Sequence, residues 1–113
     1  MAIYNTSITT SAAELSSGSG NRAITTVIVC NTATYNPASP TSGLTYLYLY
    51  AVPNGGSASS PATNTTIVNK LPIPAGETVT FDQEKMVLGT GDMLVGKSDS
   101  PANLVVTVST LAV

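Results

Sequence analysis

Residues 44–52 are LTYLYLYAV, and over positions 46–50 tyrosine and leucine strictly alternate. A strand sends successive side chains to opposite faces, whereas a helix would scatter both residue types around its circumference. This segment is therefore expected to be a strand, with Leu47 and Leu49 facing a core and Tyr46, Tyr48 and Tyr50 on the outer face of a sheet. Residues 22–31 (RAITTVIVCN), 77–82 (ETVTFD), 92–98 and 103–111 carry further strand signals, rich in β-branched residues. Residues 63–71 and 85–88 read as strands too, and 6–10 and 12–16 are weaker candidates. Turn-forming clusters separate them: Asn54-Gly55-Gly56, Pro72 to Gly76, Gly89-Thr90-Gly91 and Asp99-Ser100-Pro101. No stretch shows a helical period. About eight short strands without a helix predict an all-β fold. The expected architecture is one antiparallel two-sheet β-sandwich, immunoglobulin-like or jelly-roll-like, forming a single domain over residues 1–113. The segment 1–21 has the faintest pattern.

Residues 22–31 are apolar on both faces, Ile24, Ile28 and Cys30 on one and Ala23, Val27 and Val29 on the other, as suits a central, covered strand. The expected core is built around Ile28, Leu47, Leu49, Val79, Phe81, Val95 and Val106. Cys30, inside an apolar strand and with no histidine in the chain to activate it, is expected to be a buried structural cysteine. Residues 32–43 form a long loop in which Pro37 and Pro40 stop regular pairing.

Composition excludes several chemistries. The absence of histidine rules out Ser-His-Asp and Cys-His catalysis and any His-ligated zinc. The single cysteine rules out a four-thiolate metal site and an intrachain disulfide. Arg22, Lys70, Lys85 and Lys97 are too few and too scattered to track a nucleic-acid backbone. No apolar run is long enough for a membrane-spanning helix, and the first residues lack the basic and apolar regions of a signal peptide. Synthesis in a cytoplasm without signal-directed export is the expectation. No cofactor and no metal are expected. Only 9% of residues are charged, against about 25% in ordinary soluble domains. Their place is taken by 17 threonines and 13 serines. So neutral a skin is easiest to explain if other subunits cover much of it.

The remaining motifs have ordinary readings beside the functional ones. Asp82 and Glu84 could share a calcium ion with backbone carbonyls, or simply form a solvated turn. Gly89-Thr90-Gly91 follows a strand but precedes another strand, so it lacks the helix N-terminus of a phosphate cradle and reads as a hairpin turn. Asn5-Thr6-Ser7 and Asn64-Thr65-Thr66 match the glycosylation pattern, at about the frequency chance gives in so Ser/Thr-rich a chain. The tyrosine row has three readings: a cross-strand aromatic ladder, a protein–protein contact face, or a sugar-stacking platform. The candidate interface residues are Tyr46, Tyr48 and Tyr50 on the strand, with Tyr35, Pro37 and Pro40 on the long loop.

Five segments taken in order carry a resemblance: RAITTVIVCNT (22–32), LYLYAVPNGGS (47–57), LPIPAGETVTFD (71–82), VLGTGDMLVGKS (87–98) and NLVVTVS (103–109). Their order and spacing are similar to a group of small virion structural proteins of tailed bacteriophages. The chain departs from that group in the double-proline loop 32–43, in its first 20 residues and in its last few. The resemblance implies an all-β building block of the particle, found in the virion and foremost a capsid decoration (cement) protein. Its partners would be the major capsid protein or other virion proteins, with a homo-oligomer expected and no nucleic acid or membrane contact. A tail, baseplate or fibre component is the alternative, as is a receptor- or carbohydrate-binding module displayed on the particle. The expected action is binding and not catalysis.

Overall fold

The computed structural model describes residues 2–16, 20–82 and 86–113. Among them run nine strands: β1 (Ala2–Ile8), β2 (Ala13–Glu14), β3 (Arg22–Asn31), β4 (Thr45–Val52), β5 (Thr66–Ile73), β6 (Thr78–Phe81), β7 (Met86–Leu88), β8 (Met93–Ser98) and β9 (Leu104–Ala112). One 3-10 turn, Thr63–Thr65, is the single helical element in the described residues. Every pairing is antiparallel. One sheet has the order β1-β9-β3-β6, with β7 pairing the first half of β3 and β6 its second half. The other sheet has the order β2-β8-β4-β5. The first strand thus pairs with the last, β2 with β8, β3 with β6 and β7, and β4 with β5. Such nested pairing is one long antiparallel ribbon folded onto itself, which is the connectivity of a jelly roll. The sandwich is therefore of the jelly-roll type and not the immunoglobulin type.

Strand β1 starts at Ala2, four residues earlier than the sequence pattern indicates. Its backbone pairs with β9 along the whole length, from Ala2 opposite Thr110 to Ile8 opposite Leu104. Residues 63–65 turn instead of extending, and β5 continues through Pro72 to Ile73. Proline is tolerated there because β5 is the edge strand of its sheet.

The core lies between the sheets. Val27, Val29, Val106, Val108 and Leu104 from one side meet Leu47, Leu49, Leu94 and Ile73 from the other. Gly96 in β8 has no side chain, and Leu15 fills that space: a Cβ there would lie 2.6 Å from Leu15 Cδ1. Val95 is buried too, but on the far side of its sheet, in a second cluster with Tyr50 and Val52.

Three expectations about the core need correction. The pairing of β3 with β9 shifts register between Ile24 and Thr26, so Thr25 is the extra residue of a β-bulge. Beyond the bulge the alternation is inverted. Ile24, Val27 and Val29 all face the core, and Ile28 lies on the outer face, 37% exposed. Cys30 shares that outer face and is half-buried, not enclosed. Val79 and Phe81 do face inward, but only half-buried, on the sheet edge beside an apolar slot lined by Val27, Leu49, Phe81, Met86 and Leu94.

The connections cluster at two ends. At one end the loop 32–43, the turn 74–77 and the segment 99–103 are tied together. Asn31 N donates to Glu77 O, Gly76 N to Asn31 O, Thr32 N to Asn103 O, and Thr45 Oγ1 to Pro101 O at 2.7 Å. At the other end Asp92 joins three segments. Its carboxylate accepts from Gly89 N and Asn54 N, and its carbonyl accepts from the Arg22 guanidinium at 2.9 Å.

Candidate interaction surfaces

Strand β4 presents its tyrosines outward, as the alternation predicts, while Leu47 and Leu49 are buried. The rings are not bare, however. Lys97, the cross-strand partner of Tyr48, places its ammonium 4.9 Å from the centre of that ring. Lys70 does the same for Tyr46 at 5.1 Å. The position of Lys70 comes from a second bulge. Leu47 pairs with Leu71 and Leu49 with Val68, so β5 carries an extra residue there, and Lys70 adopts a left-handed φ of 56°. Both contacts have cation–π geometry.

Tyr48 also donates its hydroxyl to Asp99 Oδ2 at 3.1 Å. Partial burial, then this bond and the nearby negative charge of Asp99, hold the phenol above its ordinary pKa. Tyr50 is only 8% exposed. Residues 10–12 and 59–61 flank it, and Ala12 and Ala58 pack against its cluster. Of the three candidate tyrosines, Tyr50 is thus enclosed by its own chain. Tyr46 and Tyr48 remain half-exposed beneath lysines.

The other candidates share one loop. Tyr35 is 52% exposed, and Pro37 and Pro40 are exposed beside it. The loop is a chain of tight turns: Ser39 N donates to Asn36 O, Ser42 N to Ser39 O and Leu44 N to Thr41 O. Its base is held by Asn31, a buried residue whose role the sequence pattern does not reveal. Asn31 Nδ2 donates to Gly43 O and to Ile73 O, both at 2.8 Å, and Asn31 Oδ1 accepts from Ala33 N at 2.9 Å. The structure therefore sorts the six candidates into a sheet face and an end loop.

The remaining motifs resolve into architecture. Gly89-Thr90-Gly91 is a turn closed by Asp92, whose N donates to Gly89 O. The backbone donors at Gly89 and Asn54, with Arg22 nearby, hold the Asp92 carboxyl below its ordinary pKa. Arg22, one of the scattered cations, is buried and also bonds Gly20 O; Glu14 stands 3.9 Å away. Asn5 lies on β1 and Asn64 in the 3-10 turn, both exposed. Glu84, and with it the Asp82–Glu84 pair, falls outside the described residues, as does Lys85. Among the described residues no cluster of three acidic or cysteine side chains could hold a metal ion.

A further surface escapes sequence reasoning because the Thr25 bulge creates it. The outer face of the β1-β9-β3-β6 sheet gathers Ile3, Ala23, Ile28, Val87, Val105 and Leu111, with Thr, Ser and Asn between them. Ile3 is 65% and Val87 69% exposed. No charged side chain stands on the outward positions of these strands.

No family model, curated protein or solved structure matches the chain. The fold class rests on its own strand order and registers.

Proposed function

We propose that the chain is a structural protein of a tailed-bacteriophage particle, foremost a capsid decoration protein that binds the assembled coat. The ordered resemblance of residues 22–109 to small virion proteins supports this reading. The jelly roll agrees with it, since viral capsid domains use that connectivity, although lectin domains do as well. The observation that carries most is the pre-ordered loop 32–43, which holds Tyr35, Pro37 and Pro40 exposed on a base locked by Asn31. A loop already fixed before contact loses little entropy on binding, so its apolar and aromatic groups act with nearly full effect.

In this role the chain acts by association and not by catalysis. It binds the assembled coat in preference to free subunits and stabilises that state by mass action. The half-exposed Tyr46 and Tyr48 face can add contact area, with Lys70 and Lys97 offering charge to an acidic neighbour. A sugar platform is the weaker reading of that face, because an ammonium group already sits over each ring.

Counting copies in purified particles tests the proposal. A decoration protein is present in numbers comparable to the coat subunits, while a tail, baseplate or fibre part is far rarer. Replacing residues 36–42 by a short Gly-Ser linker should leave the sandwich folded and sharply reduce incorporation. Normal incorporation of that variant would remove the loop from the interface, and absence of the chain from particles would end the virion reading.

A further inference from the structure

The outward strand positions of the β1-β9-β3-β6 sheet are apolar in patches and uncharged. Among the described residues, five of the eight exposed large hydrophobics lie on this face: Ile3, Ile28, Val87, Val105 and Leu111. They span the face from the β1 edge to the β7 edge, with Ile28 at the centre. Four of its polar side chains pair with one another. Thr25 Oγ1 meets Ser109 Oγ at 3.0 Å, and Thr107 Oγ1 donates to Asn5 Oδ1 at 2.7 Å. Covering these strand positions would bury no charge. Among the described residues, Glu77 and Asp82 lie just past the ends of β6, and Lys70, Lys97 and Asp99 belong to the opposite sheet and its loops.

We infer that this face is the contact of a two-fold homodimer, in which the sheets of two copies stack face to face. Three features select a second copy as the occupant. The chain carries a formal charge of −2, so two copies repel wherever their charged surfaces meet, and this face avoids that cost. An uncharged face can meet its own copy without like-charge contact across an isologous two-fold, in which the same patch serves on both subunits. The area also suffices. The strands of this sheet, of 7, 9, 10, 4 and 3 residues, rising about 3.3 Å per residue and spaced about 4.8 Å, give a face of roughly 520 Å². Two copies then bury about 1,050 Å², just above the roughly 1,000 Å² that a specific interface needs. The pairing leaves the tyrosine face and the loop 32–43 on the outside, and it does not depend on the virion reading.

Sedimentation equilibrium of the purified full-length chain at about 10–200 µM is the test, with wild type beside Ile28→Lys, Val105→Lys and Tyr46→Ser. The expected result is a wild-type dimer, a shift to monomer by at least tenfold in dissociation constant for each lysine variant, and an unchanged dimer for Tyr46→Ser. Circular dichroism confirms that each variant is folded, and Val105→Lys on β9 serves if Ile28→Lys on β3 does not fold. A wild-type monomer throughout this range overturns the proposal, and so does a dimer that either folded lysine variant leaves intact. Loss of the dimer in Tyr46→Ser alone would move the contact to the opposite sheet. Open-ended assembly in place of a dimer would refute the two-fold closure.

Discussion

Asn31 Nδ2 donates to the carbonyl of Gly43 at 2.8 Å, so one carboxamide joins the end of β3 to the last residue of the loop that leaves it. The same nitrogen reaches Ile73 O, and Oδ1 takes Ala33 N. Asn31→Ala would remove these three hydrogen bonds, and Gly43 O would keep only the longer one from Thr45 Oγ1 at 3.4 Å. A hydrogen bond contributes about 0.5–1.5 kcal/mol net, so the loss of three predicts a decrease of about 1.5–4.5 kcal/mol in chemical denaturation. Hydrogen exchange at Ala33 should quicken as well. A loss under about 1 kcal/mol would mean that the loop is held by its own turns.

Gly43 answers to two constraints at once. Its φ is 79°, and a Cβ would sit 2.8 Å from Ala33 Cβ and 3.2 Å from Ala75 Cβ. Gly55 has a φ of 93° but open space around it. Alanine at Gly55 should cost about 1 kcal/mol for backbone strain alone, and alanine at Gly43 about 2–3 kcal/mol once the clash is added. Equal losses at the two sites would show that the loop base has room to shift.

The Thr25 bulge makes neighbours in β3 unequal. Val29→Ala removes a wholly buried side chain and should cost about 2–3 kcal/mol. Ile28→Ala changes the outer face, and the loss in monomer stability should stay below about 1 kcal/mol. Reversal of that order in denaturation curves taken at high dilution would place the bulge elsewhere. Phe81→Ala should fall between them, at about 1–2.5 kcal/mol, because its ring is only half-buried.

Asp92 links acid stability to the far end of the sandwich. Its folded pKa is depressed, so its contribution is complete above the ordinary carboxyl value near 3.9 and is lost as pH falls from there through the folded value. Asp92→Asn removes that dependence. Stability measured between about pH 7 and pH 2 should decline less steeply below about pH 4 in the variant than in wild type. Parallel acid limbs would show that the carboxylate is not linked to folding.

Tyr48 works at the alkaline side. Its folded pKa is raised, so its contribution is complete below the ordinary phenol value near 10 and is lost as pH rises through the folded value. Tyr48→Phe lacks the titrating hydroxyl and should lose stability more gently above about pH 10. Spectrophotometric titration should find a phenol ionising above the ordinary value in wild type, and this late component should vanish in the variant. A surviving late component would assign the raised phenol to another tyrosine.

The alternation in residues 46–50 is a local property. It placed Leu47 and Leu49 in the core and three tyrosines outside, because a strand's period of two holds wherever the strand stays regular. The absence of helical period and the spacing of Gly and Pro likewise determined an all-β sandwich. Other features were decided by partners distant in sequence. The choice of a jelly roll depends on β1 meeting β9 and β2 meeting β8, contacts that no local pattern encodes. Thr25 is an ordinary strand residue until β9 pairs around it, yet the one-residue shift sends Ile28 and Cys30 outward and builds the neutral face. Tyr50 is enclosed because residues 10–12 and 58–61 return to it, and Arg22 is buried because Gly20 and Asp92 bring carbonyls to its guanidinium. The sequence by itself determined which residues alternate. The tertiary structure decided which side of the alternation met the core, because a bulge is a property of two paired strands and one strand alone cannot show it.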